Sequence, residues 1–215
     1  MRHQFDRELE TLNNQIIQMG ALCEHVITKA VKVVQGHDGT AAQEALAEDA
    51  DIDRMERDIE RQCLSLLLSQ QPVAKDLRMI SSALKMITDM ERIGDQATDI
   101  SEIAMQSDLS RTARQTHIEA MGKAVTGMVR GAVDAYVRRD AALAVATAAQ
   151  DDVVDAQFTA IQQELIALIE EKAIDGAMAL DVLMVAKYLE RIGDHACNIA
   201  EWVRFAVTGK HEKLG

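Results

Sequence analysis

The chain has 215 residues, 23 Lys and Arg against 35 Asp and Glu for a formal charge of −12, one Pro and six aromatics. That balance excludes a nucleic-acid backbone as partner, since neutralising phosphates takes clustered Lys and Arg, and the single Pro points to long unbroken helices. No run approaches the roughly 18 apolar residues of a spanning helix, acids interrupt the N-terminal segment where a signal peptide is apolar, and Cys23, Cys63 and Cys197 show no paired spacing, so the chain reads as cytosolic and soluble, with neither a disulfide framework nor a cysteine-rich zinc module.

Apolar residues at Leu9, Leu12, Ile16, Met19, Cys23, Val26, Ala30 and Val33 recur in steps of three and four, the stripe of a helix packed against other helices. The stripe stops at Gly36-His37-Asp38-Gly39, a turn signal. A second helix is predicted from Thr40 to Ser69, and a third with Pro72 in its first turn, running to Met105. A polar link, Gln106 to Thr112, follows. The pattern then repeats: Ile118, Met121, Val125, Met128, Ala132 and Ala135 lie 102 positions after Ile16, Met19, Cys23, Val26, Ala30 and Val33. Arg138-Arg139-Asp140 replaces the glycine turn, with Asp140 as N-cap. Val154, Phe158, Ile161, Leu165 and Leu168 stripe a fifth helix, and a sixth follows Asp175-Gly176 to about Val207, ended by Gly209.

The segments Glu91–Glu102 and Glu190–Glu201 agree at eight of twelve positions, at an offset of 99. Two nearly equal offsets, differing by one small indel in a connection, indicate tandem duplication. The expected fold is all-α: two tandem antiparallel three-helix bundles, residues 1–106 and 112–209, with a tail at 210–215.

Glu91, Asp95, Asp99 and Glu102 fall within about 80° of one another on a helical wheel, opposite the apolar face. The second helix carries a matching set in Asp49, Asp53, Glu56 and Glu60; the second half keeps Glu190, Asp194, Asn198 and Glu201 with Asp151 and Asp155, while Phe158 and Gln162 replace the remaining acids. Like charges at i,i+4 cost about 0.2–0.5 kcal/mol per pair, and Gly94 and Gly193 sit inside helices, where Gly costs about 1 kcal/mol relative to Ala. A small residue beside the acids lets a neighbouring backbone approach, so that carboxylates of two helices converge. Such a site suits Mg²⁺, Ca²⁺ or Mn²⁺ and can hold iron. From spacing alone a solvated or partner-facing acidic surface is the competing reading, and for most acidic helices it is the one that holds. Arg92 and Arg191 are expected to pair with Asp89, Asp95 or Asp194, and His195, turned about 100° from Asp194, to be structural or exposed. Gly-rich phosphate loops and nucleophile–base sets are missing.

The duplicated Glu-Arg-Ile-Gly-Asp segments, the Asp49/Asp53 and Asp151/Asp155 pairs, and Gln71-Pro72-Val73-Ala74-Lys75-Asp76-Leu77-Arg78 together resemble the PhoU family over nearly the whole chain. The resemblance implies a pseudo-twofold between the bundles and a cytoplasmic, non-enzymatic regulator of high-affinity phosphate uptake. Such a protein connects the transporter's ATPase subunit to a membrane sensor histidine kinase, and keeps the phosphate-starvation regulon off when phosphate is plentiful. It implies metal ligands at Asp49, Asp53, Glu91, Asp95 and Asp99 in the first half, and at Asp151, Asp155, Glu190, Asp194 and Asn198 in the second, holding divalent or iron cations (Fe, Zn, Mg, Mn or Ca). Asn198 departs from the all-acid pattern. A homodimer, peripheral to membrane complexes and without nucleic acid, completes the expectation. The competing readings are a metal-binding or metal-free helical scaffold that docks basic partners, and a carboxylate-bridged di-iron enzyme, for which the Glu-x-x-His motif is missing.

Overall fold

A computed structural model describes residues 2–36, 38–70, 72–210 and 214. His37 of the expected first turn, Gln71 of the Gln71–Arg78 segment, and most of the expected tail lie outside the described residues. The chain forms α1 (Arg2–Gly36), α2 (Gly39–Gln70), α3 (Ala74–Gln106), α4 (Ser110–Ala113), α5 (Ile118–Arg138), α6 (Ala141–Ala148), α7 (Asp151–Glu170) and α8 (Gly176–Thr208). The longest helices, α1, α2, α3 and α8, are about 50 Å long at 1.5 Å per residue.

Three boundaries differ from expectation. Pro72 stands before the N-cap Val73 and outside α3, where its fixed φ and missing N–H serve a chain reversal rather than a first turn. The polar link holds the one-turn helix α4. The predicted fifth helix is two: α6 and α7 are separated at Ala149-Gln150, where Gln150 N–H bonds the Thr147 carbonyl three residues back. Asp140 does cap α6, its Oδ1 accepting from Ala142 and Leu143 N–H at 2.9 and 3.0 Å. Arg139 ends α5 in the left-handed region, φ 52°, and Gly209 ends α8 at φ 75°.

Helices α1, α2 and α3 make one bundle, and α5, α6–α7 and α8 the other. Four helices join them: α1 packs on α5, and α3 packs on α8 along its length. The α3–α8 pairing is antiparallel. Arg78 lies by Gly209, Asp89 by His195 and Asn198, Asp99 by Tyr188, and Ser107 by Asp181, so one residue number falls as the other rises. Asp89 and Tyr188 are separated by 99 positions, as are Asp99 and Asn198. The Asp89–Asn198 contact is therefore the pseudo-twofold image of the Tyr188–Asp99 contact. The α1–α5 crossing has the same symmetry. A β-carbon on Gly20 would meet Val133 at 2.6 Å, and one on Gly122 would meet Val31 at 2.5 Å. Gly20 and Gly122, like Val31 and Val133, are 102 apart.

The predicted apolar stripe is the core: Ile16, Met19, Cys23, Val26, Ala30 and Val33 are fully buried, as are Ile118, Met121, Val125, Ala132 and Ala135. Burial at roughly 25 cal/mol per Å² of apolar surface supplies the main stabilisation of both bundles and of the joint between them. Ile17, beside the stripe, is 37% exposed.

Candidate metal centre

The first carboxylate cluster is set by the approach of α2 to α3 at Gly94. With hydrogen in place of a side chain, Gly94 admits the Asp49 carboxylate: a β-carbon there would stand 2.5 Å from Asp49 Oδ1 and 3.2 Å from Ile52 Cδ1. The second cluster repeats the arrangement, with a Gly193 β-carbon 3.2 Å from Asp151 Oδ1 and 3.3 Å from Val154 Cγ1. Asp151 and Val154 follow Asp49 and Ile52 by 102 residues. The in-helix glycines thus have a local steric reason.

Burial and like charge act together on these acids. Asp49 is pushed up to about 6, first by desolvation and then by Asp95, Asp53 and Asp99. Asp151 is likewise pushed up to about 6 by desolvation, then by Asp194, Asp155 and Glu190. Desolvation also raises Glu56, Glu91, Asp95, Asp99 and Asp194, each reinforced by a carboxylate neighbour. Asp49 Oδ1 and Asp151 Oδ1 are buried and make no hydrogen bond. The Thr98 hydroxyl beside Asp49 lowers it somewhat, yet neither Thr98 Oγ1 nor Asp49 Oδ1 has a partner at normal hydrogen-bond geometry. A buried carboxylate oxygen without a donor costs about 1–3 kcal/mol or more, and here the cost occurs twice, at pseudo-equivalent atoms.

These orphaned oxygens, with several carboxylates around each, fit a hard cation. Among the described residues, no three His, Cys, Asp or Glu side chains are gathered closely enough to hold an ion as they stand. Asp95, Asp155 and Asp194 are exposed, so completing a coordination shell takes side-chain rotation about the fixed Asp49 and Asp151.

The ten sequence-derived ligands divide by place. Asp49 and Asp53 on α2 face Glu91, Asp95 and Asp99 on α3, with Glu56 beside Glu91. Asp53 also meets Arg57 at 3.6 Å. Asp151 and Asp155 on α7 face Glu190 and Asp194 on α8. Asn198 is turned to the other repeat: its Nδ2 donates to Asp89 Oδ1 at 3.2 Å. Asp99, its pseudo-equivalent, also reaches the joint through its hydrogen bond with the Tyr188 hydroxyl.

Four residues outside the ten ligands matter here. Asp89 is buried and anchors the joint, meeting His195 Nδ1 at 2.9 Å as well as Asn198. His195 is thus structural, as expected. Arg191 stands over the Tyr188 ring, 5.9 Å from its centroid, rather than in the expected helical ion pair. Lys187 pairs with Glu190 and lies 5.5 Å from the centroid of Phe158, bringing a cation to the second cluster. The signal for it was the offset of 99, which aligns Lys187 with Thr88.

Fold and clusters define a class: an all-helical scaffold made by duplication, presenting one anionic cluster per repeat. The family described as PhoU domain matches twice, at residues 16–104 and 118–203. The chain belongs to the PhoU family. A Pseudomonas putida protein named phosphate-specific transport system accessory protein PhoU homolog is 38% identical over 208 residues, covering 96% of this chain and 81% of that protein. One of the same name from Clostridium acetobutylicum is 34% identical over 217 residues, covering 98% and 97%. The crystal structure of PhoU from Pseudomonas aeruginosa superposes with a TM-score of 0.86 at 36% identity, covering 96% of this chain and all of that one. The phosphate transport system regulatory protein PhoU from Streptococcus pneumoniae gives 0.87 at 26% identity, covering 97% and 99%.

Proposed function

We propose that this chain is a non-enzymatic regulator of phosphate uptake. It couples the ATPase subunit of a high-affinity phosphate transporter to a sensor histidine kinase and holds the phosphate-starvation regulon off when phosphate is plentiful. The observation that carries the reading is the near-complete coverage of relatives named as accessory proteins of phosphate-specific transport, with both repeats matched by the family. Such coupling is binding work: partners that bind two states of the scaffold unequally shift its population, and no turnover is needed. The chain works at the cytoplasmic face as a homodimer peripheral to the membrane complex. No described helix is long and apolar enough to cross a membrane, which supports a peripheral place.

In this reading the two carboxylate clusters hold divalent or iron cations. Asp49, Asp53, Glu91, Asp95 and Asp99 serve the first cluster, and Asp151, Asp155, Glu190 and Asp194 the second. A bound cation supplies the positive charge that neighbouring carboxylates lack, fixing α2 to α3 and α7 to α8. Gly94 and Gly193 hold the helix pairs close, and Asp49 and Asp151 present the desolvated oxygens.

The test is a starvation-promoter reporter in a strain lacking the gene. Restoring this chain silences the reporter in high phosphate and leaves it active in low phosphate. A reporter that stays on in high phosphate, with the chain expressed and folded, overturns the regulatory reading.

A further inference from the structure

We infer that Lys187 is a built-in counter-cation of the second carboxylate cluster, so that a divalent cation loads the first cluster in preference to the second. The inference rests on the reading of both clusters as cation sites and goes beyond it, because that reading sets no order of loading between them.

Duplication makes the comparison position by position. In the second repeat the Lys187 ammonium pairs with Glu190, one of the four acids of that cluster, and acts on Asp194 as well. Its position is held by Phe158, whose ring it approaches at 5.5 Å, a cation–π contact that keeps the ammonium over the cluster. The pseudo-equivalents in the first repeat are Thr88 and Glu56. The Thr88 hydroxyl is spent on the Leu84 carbonyl within α3, at 3.3 Å, and Glu56 adds a carboxylate beside Glu91. Where the second cluster has a cation and an aromatic ring, the first has an uncharged hydroxyl and another acid.

Backbone geometry increases the difference. Asp151 and Asp152 occupy the first turn of α7, created by the break at Ala149-Gln150. Carboxylates there meet the positive end of the helix dipole. Asp49 lies inside the unbroken helix α2 and has no such support. The cations near the first cluster, Arg57, Arg92 and Arg191, are all exposed, and Arg57 meets Asp53 only at 3.6 Å. Hard-cation affinity rises with the number of uncompensated carboxylates, so the first cluster takes the ion.

The test is Mn²⁺ titration of the full chain after chelator treatment, with free Mn²⁺ read by electron paramagnetic resonance. Wild type binds one tight equivalent. Asp49→Asn/Asp95→Asn loses it, and Lys187→Thr gains a second. Thr88→Lys, which gives the first cluster its own ammonium, weakens the tight equivalent by about tenfold or more. Lys187→Met keeps the side-chain stem over Phe158 and serves if the threonine variant does not fold. Melting in EDTA is an independent readout: Lys187→Met lowers the Tm and Thr88→Lys raises it. Two equal Mn²⁺ equivalents in wild type, unchanged by Lys187→Thr or Lys187→Met, overturn the inference and leave the cation reading intact. Folded variants and wild type that all fail to bind Mn²⁺ remove the cation reading, and the inference with it.

Discussion

Gly94 and Asp49 are in such close contact that the helix pair tolerates no methyl group between them: a β-carbon on Gly94 would be 2.5 Å from Asp49 Oδ1, with Ile52 Cδ1 at 3.2 Å behind it. At Gly193 the corresponding distances to Asp151 and Val154 are 3.2 and 3.3 Å. Replacing an in-helix Gly by Ala gains about 1 kcal/mol of helix propensity, and the steric cost decides the sign. Gly193→Ala is expected to be neutral or slightly stabilising. Gly94→Ala must displace the Asp49 carboxylate, and is expected to lower the Tm and weaken Mn²⁺ binding. Calorimetric melting of the two variants side by side checks this; equal Tm shifts would show that the clusters are sterically equivalent.

Asp89 holds the two repeats together through His195 and Asn198, both on α8, at 2.9 and 3.2 Å. The carboxylate is buried, so removing it leaves the half-buried His195 without its partner, while the exposed Asn198 amide can turn to water. Asp89→Ala is expected to cost about 1–3 kcal/mol, and a variant carrying both Asp89→Ala and His195→Ala to cost less than the sum of the two single changes. Denaturant unfolding with a double-mutant cycle measures the coupling. A coupling near zero would remove Asp89 from its anchoring role.

Arg139 offers a stabilising change. It closes α5 at φ 52°, a conformation that costs an L-residue about 1–2 kcal/mol and glycine almost nothing. Arg139→Gly keeps the backbone bonds from the Arg139 and Asp140 N–H groups to Tyr136 and Ala135. It is expected to raise the Tm by about 2–4 °C for each kcal/mol gained in a chain of this size. A lowered Tm would mean that the arginine side chain contributes more than its backbone costs.

Most of the architecture could be read from local patterns because duplication writes each pattern twice. The stripe from Ile16 to Val33 and its copy from Ile118 to Ala135 identified the core faces, and the Glu91–Glu102 match located the helices that carry the acids. The break between α6 and α7 left no comparable trace. The segment Ala141–Ala148 is rich in alanine, the best helix former, and neither Gly nor Pro marks its end. The Asp89–His195 contact spans 106 residues, and no helical wheel can show which face of α3 meets which face of α8. Phe158 was visible as a departure from the acidic pattern, but its meaning came from Lys187, whose ammonium the fold brings over the ring. Asn198 shows the reverse limit. Its position in the motif is that of Asp99, while its amide is committed to Asp89.

The raised carboxylates fix the pH dependence of the cation-free protein. Asp49 and Asp151, at about 6 when folded, bind protons between that pH and the ordinary value near 4, where the unfolded chain has already released them. The native state then holds more protons than the unfolded state, so stability falls as pH rises. The stabilisation is complete below the unfolded value and is lost as pH climbs through about 6. Both groups are partly solvated, which limits the effect to about 1 kcal/mol each after screening; Glu56, Glu91, Asp95, Asp99 and Asp194 push the same way. In EDTA the Tm is therefore expected to rise as pH falls from 8 to 5. Asp49→Asn should raise the Tm at pH 8 and flatten the profile. With Mn²⁺ the slope should reverse, because the ion competes with protons for the same oxygens. An EDTA profile that is flat or falls toward pH 5 would show that the cluster acids are not mutually raised, and would remove the electrostatic reason for a cation at Asp49.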